Sequence, residues 1–209
     1  MPIGKQDILA WFDALERAYA ANRERLTELD SAIGDADHGT NMDRGFTAVQ
    51  TELAANVPTD IRAALQSAAT VLLRTVGGSA GPLYGTFFMR AAASCAGKTE
   101  LDDAAVVAMF AAGIAGVEQR GKSGPQDKTM LDALLPALSA MQASLRQGGA
   151  LAAILADAVA AAEKGMLATI PMLARKGRAS YLGPRSVGHQ DPGATSSYLL
   201  IKAAADTWT

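Results

Sequence analysis

Apolar residues return every three or four positions in one segment after another of this chain, and nowhere do β-branched residues alternate with polar ones. That spacing buries one stripe of a helix and does not suit a pleated strand, so an all-α fold is expected. Ile8, Leu9, Trp11, Phe12, Leu15 and Tyr19 open the series, which resumes at Leu26 and Leu29 and predicts one helix over about 5–29. A second helix should begin near Gly39 or Thr40 and bury Met42, Phe46, Val49 and Leu53. Pro58 and Thr59 separate it from a third, striped by Ile61, Leu65, Ala68, Ala69, Leu72 and Val76. A fourth follows Ser79 and runs through Phe87 and Phe88 to about Cys95. Residues 99–103 offer caps for a fifth, which carries Val106, Val107, Phe110, Ile114 and Val117 and ends near Arg120 and Gly121. Asp127 is the expected N-cap of a sixth, with Met130, Leu131, Leu134, Leu135, Leu138 and Met141 inside and Pro136 as a kink. Gly148 and Gly149 break it, Leu151, Ile154, Leu155, Ala158, Val159 and Ala162 mark a seventh, and an eighth ends near Thr207.

A chain of 209 residues can bury such a set of helices without disulfides, and Cys95, its one cysteine, sits on an apolar stretch as a small hydrophobe. No run of 18 apolar residues and no signal-peptide pattern is present, so a soluble cytoplasmic protein without a membrane partner is expected. A net charge of -2 argues against steering to DNA, though not against a local cationic patch.

Between the first two helices lies Asp30-Ser31-Ala32-Ile33-Gly34-Asp35-Ala36-Asp37-His38-Gly39-Thr40-Asn41. Carboxylates crowded on a turn repel one another, and a hard divalent ion such as Mg2+ removes that cost while keeping room for phosphate oxygens. Asp30, Asp35 and Asp37 equally fit ordinary turn and cap roles. Asp30, expected at a helix C-terminus, is the position where an anion most needs a cation beside it. Gly77-Gly78-Ser79-Ala80-Gly81-Pro82 permits close approach of a ligand and exposes the N–H groups of the next helix start, which suits a phosphate as well as a tight interhelical turn. It lacks the Lys-Ser/Thr ending and preceding strand of a phosphate loop.

From Arg175 the composition changes: Arg175-Lys176-Gly177-Arg178 is cationic, and Gly188-His189-Gln190-Asp191-Pro192-Gly193-Ala194 leads into the last helix. An irregular stretch of this length in a helical chain suits an anion-binding lid, or a solvated loop in which Asp191 and Pro192 only start the helix. His38 and His189 are the two histidines. With no cysteine at ligand spacing they argue against structural zinc, and His38 fits a phosphate hydrogen bond or an orienting role beside Asp37. Met130 reads as core or as an adaptable surface for an adenine ring. If the helices alternate in direction, residues 30–41, 77–81, Gly121 and 176–193 share one rim, and acids, glycines and Arg178 there make a coherent nucleotide site.

Five ordered motifs resemble one family. Asp30-x4-Asp35-Ala36-Asp37-His38-Gly39-x-Asn41, residues 77–86, Gly124-Pro125-x-Asp127-Lys128-Thr129-Met130, residues 174–183 and residues 188–194 together are similar to the L subunits of bacterial dihydroxyacetone kinases. The resemblance covers essentially the whole chain. It implies one nucleotide-binding domain over 1–209, an eight-helix antiparallel up-and-down barrel or bundle with the site at one rim. It further implies that Asp30, Asp35 and Asp37 hold two Mg2+ against a diphosphate. His38, Gly39, Thr40, Asn41, Ser79, Ala80, Gly121, Met130, Arg178, Asp191, Pro192 and Gly193 would surround the nucleotide, Met130 near the base. No residue of the chain would be catalytic in the covalent sense, because bound ADP, transiently ATP, carries the phosphoryl group. The implied partners are a K subunit carrying dihydroxyacetone and a phosphohistidine M subunit of the sugar phosphotransferase system, with phosphoenolpyruvate the ultimate donor. A transcriptional regulator is a further partner in the family, and the isolated chain would be a homodimer or monomer. The absence of a substrate domain favours the separate-subunit form. Two other readings stay open: another ketose or polyol, or ATP as direct donor, at the same site, and a nucleotide-dependent regulator-binding module.

Overall fold

Asn22 divides the first long apolar stripe in two. In the computed structural model, which describes residues 2–208, helix α1 spans Lys5–Ala21 and α2 spans Arg23–Ile33. The Asn22 side chain donates to the Ala18 carbonyl at 2.8 Å, and its backbone (φ -104, ψ 8) leaves the helix there. Asparagine competes with the helical backbone for its own hydrogen bonds, which explains why one expected helix becomes two. Helices α3 (His38–Ala55), α4 (Ile61–Thr75), α5 (Ala80–Ser94), α6 (Asp103–Gly121), α7 (Leu131–Arg146), α8 (Leu151–Ala168) and α9 (Pro192–Trp208) follow. A 3-10 segment, Arg178–Ser186, kinked at Gly183 (φ 55, ψ -130), occupies the stretch expected to be irregular. The described residues therefore hold ten helical segments rather than eight. They also hold one short antiparallel pairing that periodicity did not announce, Ile3–Gly4 with Glu100–Leu101. The outer bounds of the expected 1–209 domain, Met1 and Thr209, lie outside the described residues.

Each long helix packs on the next in sequence from α3 to α9, and α1 packs on both α3 and α9. The stripes named above face inward: Ile8, Trp11, Phe12, Leu15 and Tyr19 are fully buried, and so are Phe46, Phe87, Phe88 and Phe110. Trp11 is the aromatic centre, with ring centroids 5.6 Å from both Phe88 and Phe110 and 5.0 Å from Trp208. Its indole N–H donates to the Leu200 carbonyl at 3.3 Å, so the large side chain is buried without an orphaned donor. Asp60 and Asp102 cap α4 and α6, their carboxylates accepting from the Ala63 and Ala105 N–H groups at 2.7 Å. Asp127 is not the cap of α7, which begins four residues later; its carboxylate accepts from the Gly124 N–H at 2.9 Å and shapes the preceding loop. Among the described residues no helix is long and apolar enough to cross a membrane.

Candidate functional site

The ends of α2, α4 and α6 and the starts of α3, α5, α7 and α9 meet around one cavity of about 430 Å3. Helix starts present unpaired N–H groups and the positive end of the helix dipole, so the assembly favours an anionic ligand.

One wall is acidic. Asp30 lies in the last turn of α2 and is buried, and one of its carboxylate oxygens accepts from the N–H groups of Asp37 (2.9 Å) and His38 (3.1 Å). The cost of an anion at the end of α2 is thus offset by the donors of α3, a compensation that spacing alone did not reveal. Ala36 takes a left-handed conformation (φ 61) to turn the chain between the two helices. Gly34 presses so closely on the Asp30 carboxylate that an added Cβ would collide with it. Asp30, Asp35 and Asp37 each bring one oxygen within 4.8 Å of the others. Carboxylates this close repel unless neutralised, and three oxygen donors with open space beside them fit a hard divalent cation. Asp35 already has one counter-charge, Arg178, at 2.9 Å. His38 is held at 2.9 Å from the Ser196 hydroxyl, which is also bonded by Tyr84 and itself donates to the Gly193 carbonyl. Burial lowers the His38 pKa, against the pull of Asp30 and Asp37.

Opposite the acids, Gly77, Gly78 and Ser79 join α4 to α5 and line the cavity with Ala80. Gly78 is left-handed (φ 62), which explains a glycine there. Ser79 is the N-cap of α5 yet makes no side-chain cap bond, leaving its hydroxyl to serve a ligand. Leu83, Val117 and Met130 give an apolar side to the same space beside Gly121. Met130 is buried in the main core and also lines the cavity.

The third side is a cover formed by residues 174–193, from which Lys176, Arg178, Asp191, Pro192 and Gly193 reach the cavity. Asp191 caps α9, accepting from the Ala194 N–H at 2.7 Å. Its pKa is pushed up to about 7, mainly by burial and further by Asp132 and Asp30, against the Ala194 bond and Lys128.

Of the expected site residues, Gly39 and Thr40 do not line the cavity. An added Cβ at Gly39 would strike the Arg23 carbonyl and the Thr27 side chain, so that glycine lets α3 lie against α2. His189 lines a separate shallow cleft between α2 and the cover. Sequence reasoning missed Lys128, Arg120 and Ser123 as lining residues, and missed the His38–Ser196–Tyr84 network. Lys128 stood inside a quoted motif, but its partners are backbone carbonyls, which no side-chain pattern marks.

The DAK2 domain family model matches residues 32–206, starting just beyond Asp30. The chain is 43% identical over 205 residues to the ADP-binding subunit DhaL of the PEP-dependent dihydroxyacetone kinase of Escherichia coli (strain K12), covering 98% of each. It is 37% identical over 207 residues to the corresponding subunit of kinase 1 of Listeria innocua, covering 99% of this chain and 98% of that one. The crystal structure of the dihydroxyacetone kinase of C. freundii superposes with a TM-score of 0.76 over 99% of this chain and 35% of that one, at 22% identity, a likeness of fold. The chain therefore belongs to the DAK2 domain family, among the ADP-binding L subunits of PEP-dependent dihydroxyacetone kinases.

Proposed function

We propose that the chain holds ADP with two Mg2+ in this cavity and relays a phosphoryl group between two partner proteins in the cytoplasm. When bound, the magnesium nucleotide would supply the carrier chemistry, as acceptor of a phosphoryl group from a phosphohistidine M subunit and as its donor to dihydroxyacetone held on a K subunit. The observation that carries this reading is the meeting, in one cavity, of a three-carboxylate cluster with a free Ser79 hydroxyl at a helix start and with Arg178. Such transfer relies on positioning and charge neutralisation. Asp30, Asp35 and Asp37 would hold the metals. His38, Asn41, Ser79 and Ala80 would hold phosphate oxygens, and Gly121 and Met130 would face the base. Arg178 would release Asp35 to the metal and turn to the phosphates, while Asp191, Pro192 and Gly193 close the site from α9. Gly39 and Thr40 would support His38 and Asn41 from outside the lining. The pairwise packing of α1 with α3 and α9, and of α3 through α9 in order, supports an up-and-down barrel of eight long helices, one nucleotide-binding domain over 1–209.

Incubating the magnesium nucleotide complex with an M subunit labelled on its phosphohistidine tests the relay. Label should pass to the nucleotide on this chain and then, with the K subunit, to dihydroxyacetone. Label that stays on the histidine while the nucleotide is demonstrably bound would contradict it. A second reading, ATP as direct donor, draws on the 39% identity over 181 residues to human triokinase/FMN cyclase, of which the chain covers 31%. Transfer from added ATP, with no M subunit, would favour that reading.

A further inference from the structure

Lys128 is 1% exposed, and the hydrogen bonds of its ammonium all go to backbone carbonyls, with the Asp191 carboxylate attracting it as well. The carbonyls of His189 (2.6 Å), Ser186 (2.7 Å), Thr169 (2.9 Å), Met172 (3.1 Å) and Ile170 (3.5 Å) surround Nζ. An ammonium has three donors and no acceptor, so three oxygens take direct bonds and the others add charge–dipole attraction. A neutral group there would leave the carbonyls facing one another, buried and unpaired.

All five oxygens belong to the stretch that leaves α8, forms the cover and enters α9. That stretch has little apolar anchorage of its own: Ala174, Ala179 and Leu182 touch Ile33 in a small cluster apart from the main core. Apart from the Arg178–Asp35 ion pair, its other ties converge on the same place. Gly188 donates to the Ile170 carbonyl, Ala174 to the Ser186 hydroxyl, and Asp191 to the Thr169 hydroxyl. Lys128 itself stands on a loop fixed from behind, with Asp132 accepting from the Thr129 N–H at 2.8 Å and the Asp127 carbonyl accepting from Arg175. The cover carries Lys176 and Arg178 and leads directly into Asp191–Gly193, all of which line the cavity.

We infer that Lys128 is a positioning residue: its ammonium acts as a tethered monovalent cation that gathers five carbonyls and so fixes the cover over the cavity. Its effect on ligand affinity rests on the nucleotide reading above; its effect on the cover does not. The test is Lys128→Ala in the full chain, with and without propylammonium, which replaces the atoms removed. Lys and Ala both carry a Cβ at this left-handed position (φ 62), so backbone strain is common to both. Hydrogen exchange of the Ala174, Gly188 and Asp191 amides should quicken at least about tenfold while α1 and α4 keep their protection. The Kd for magnesium ADP should rise at least about fivefold. Propylammonium should restore both, and tetramethylammonium, which has no N–H, should restore neither. Unchanged protection and affinity would overturn the inference, and so would a loss spread evenly over the core that propylammonium does not reverse. If Lys128→Ala does not fold, Lys128→Met decides: loss confined to the cover supports the inference, and full protection or global unfolding overturns it. A parent protein that binds no magnesium ADP sinks the nucleotide reading alone, because the exchange measurement still decides the role of Lys128.

Discussion

At Gly34 the backbone comes so close to the Asp30 carboxylate that a methyl group cannot be placed between them. Gly34→Ala should therefore push Asp30 off the Asp37 and His38 amides. It should cost about 1–3 kcal/mol in urea unfolding and abolish measurable magnesium ADP binding in calorimetry. Unchanged nucleotide affinity would mean that Asp30 is not needed where it stands. Asp191 makes a pH-dependent contribution whose sign is opposite to that of a salt-bridged acid. Its folded pKa of about 7 lies above the ordinary 3.8, so the folded state without ligand holds the extra proton between those values. The cost of ionising it is absent at the acid end, grows as pH rises from about 4 to about 7, and is complete above that. Asparagine can still accept the Ala194 N–H. The stability gain of Asp191→Asn over the parent, both free of metal and nucleotide, should therefore increase across that window and level off above it. His38, whose lowered pKa works in the other direction, is common to both proteins and drops out of the difference. A gain that does not vary with pH would show that Asp191 titrates normally.

Helix caps and loops explain both what was readable and what was not. The carboxylate before α6 fell among the capping residues recognised at 99–103, because an N-cap is a local signal written in one side chain. Asp127 carried the same signal and does something else, since three non-glycine residues around it (Lys122, Gln126 and Lys128) adopt positive φ and delay the start of α7. Tertiary hydrogen bonds hold that loop, and they leave no periodic trace in the sequence. Asn22 is similar: the stripe through Tyr19 and Leu26 is correct on both sides of the break, but periodicity does not register a side chain that diverts the backbone. Asp60 and Asp102 cap helices whose opposite ends form the site. Asp60→Ala and Asp102→Ala should each cost about 1 kcal/mol in urea unfolding. Neither should change the Kd for magnesium ADP by more than about twofold, and a larger change would mean that the two rims are coupled.

For the whole molecule, the inward stripes and the convergence of residues 30–41, 77–81, Gly121 and 176–193 were legible because alternating helices bring alternate connections to one end. The cage around Lys128 and the His38–Ser196–Tyr84 network were not, because both join residues far apart in sequence through atoms that composition does not distinguish. The core is continuous from Trp11 to Trp208, and Trp11→Ala should cost about 3–5 kcal/mol of unfolding free energy. The site ties together ends of seven helices, so filling it should stabilise the entire fold by about 2.7 kcal/mol at a ligand concentration of 100 Kd. Chelating the metal should remove that gain in thermal melts. On the proposed reading the three carboxylates bind nucleotide through divalent cations. Calorimetric titration of ADP into the parent and into Asp35→Asn, with Mg2+ and with a chelator, tests it most directly. Tight binding to the parent only when Mg2+ is present, weakened at least about a hundredfold in Asp35→Asn, an effect of about 2.7 kcal/mol, is the predicted result. Equal affinity in the two proteins, or binding to the parent that ignores the chelator, would rule out nucleotide binding through a metal held by these carboxylates.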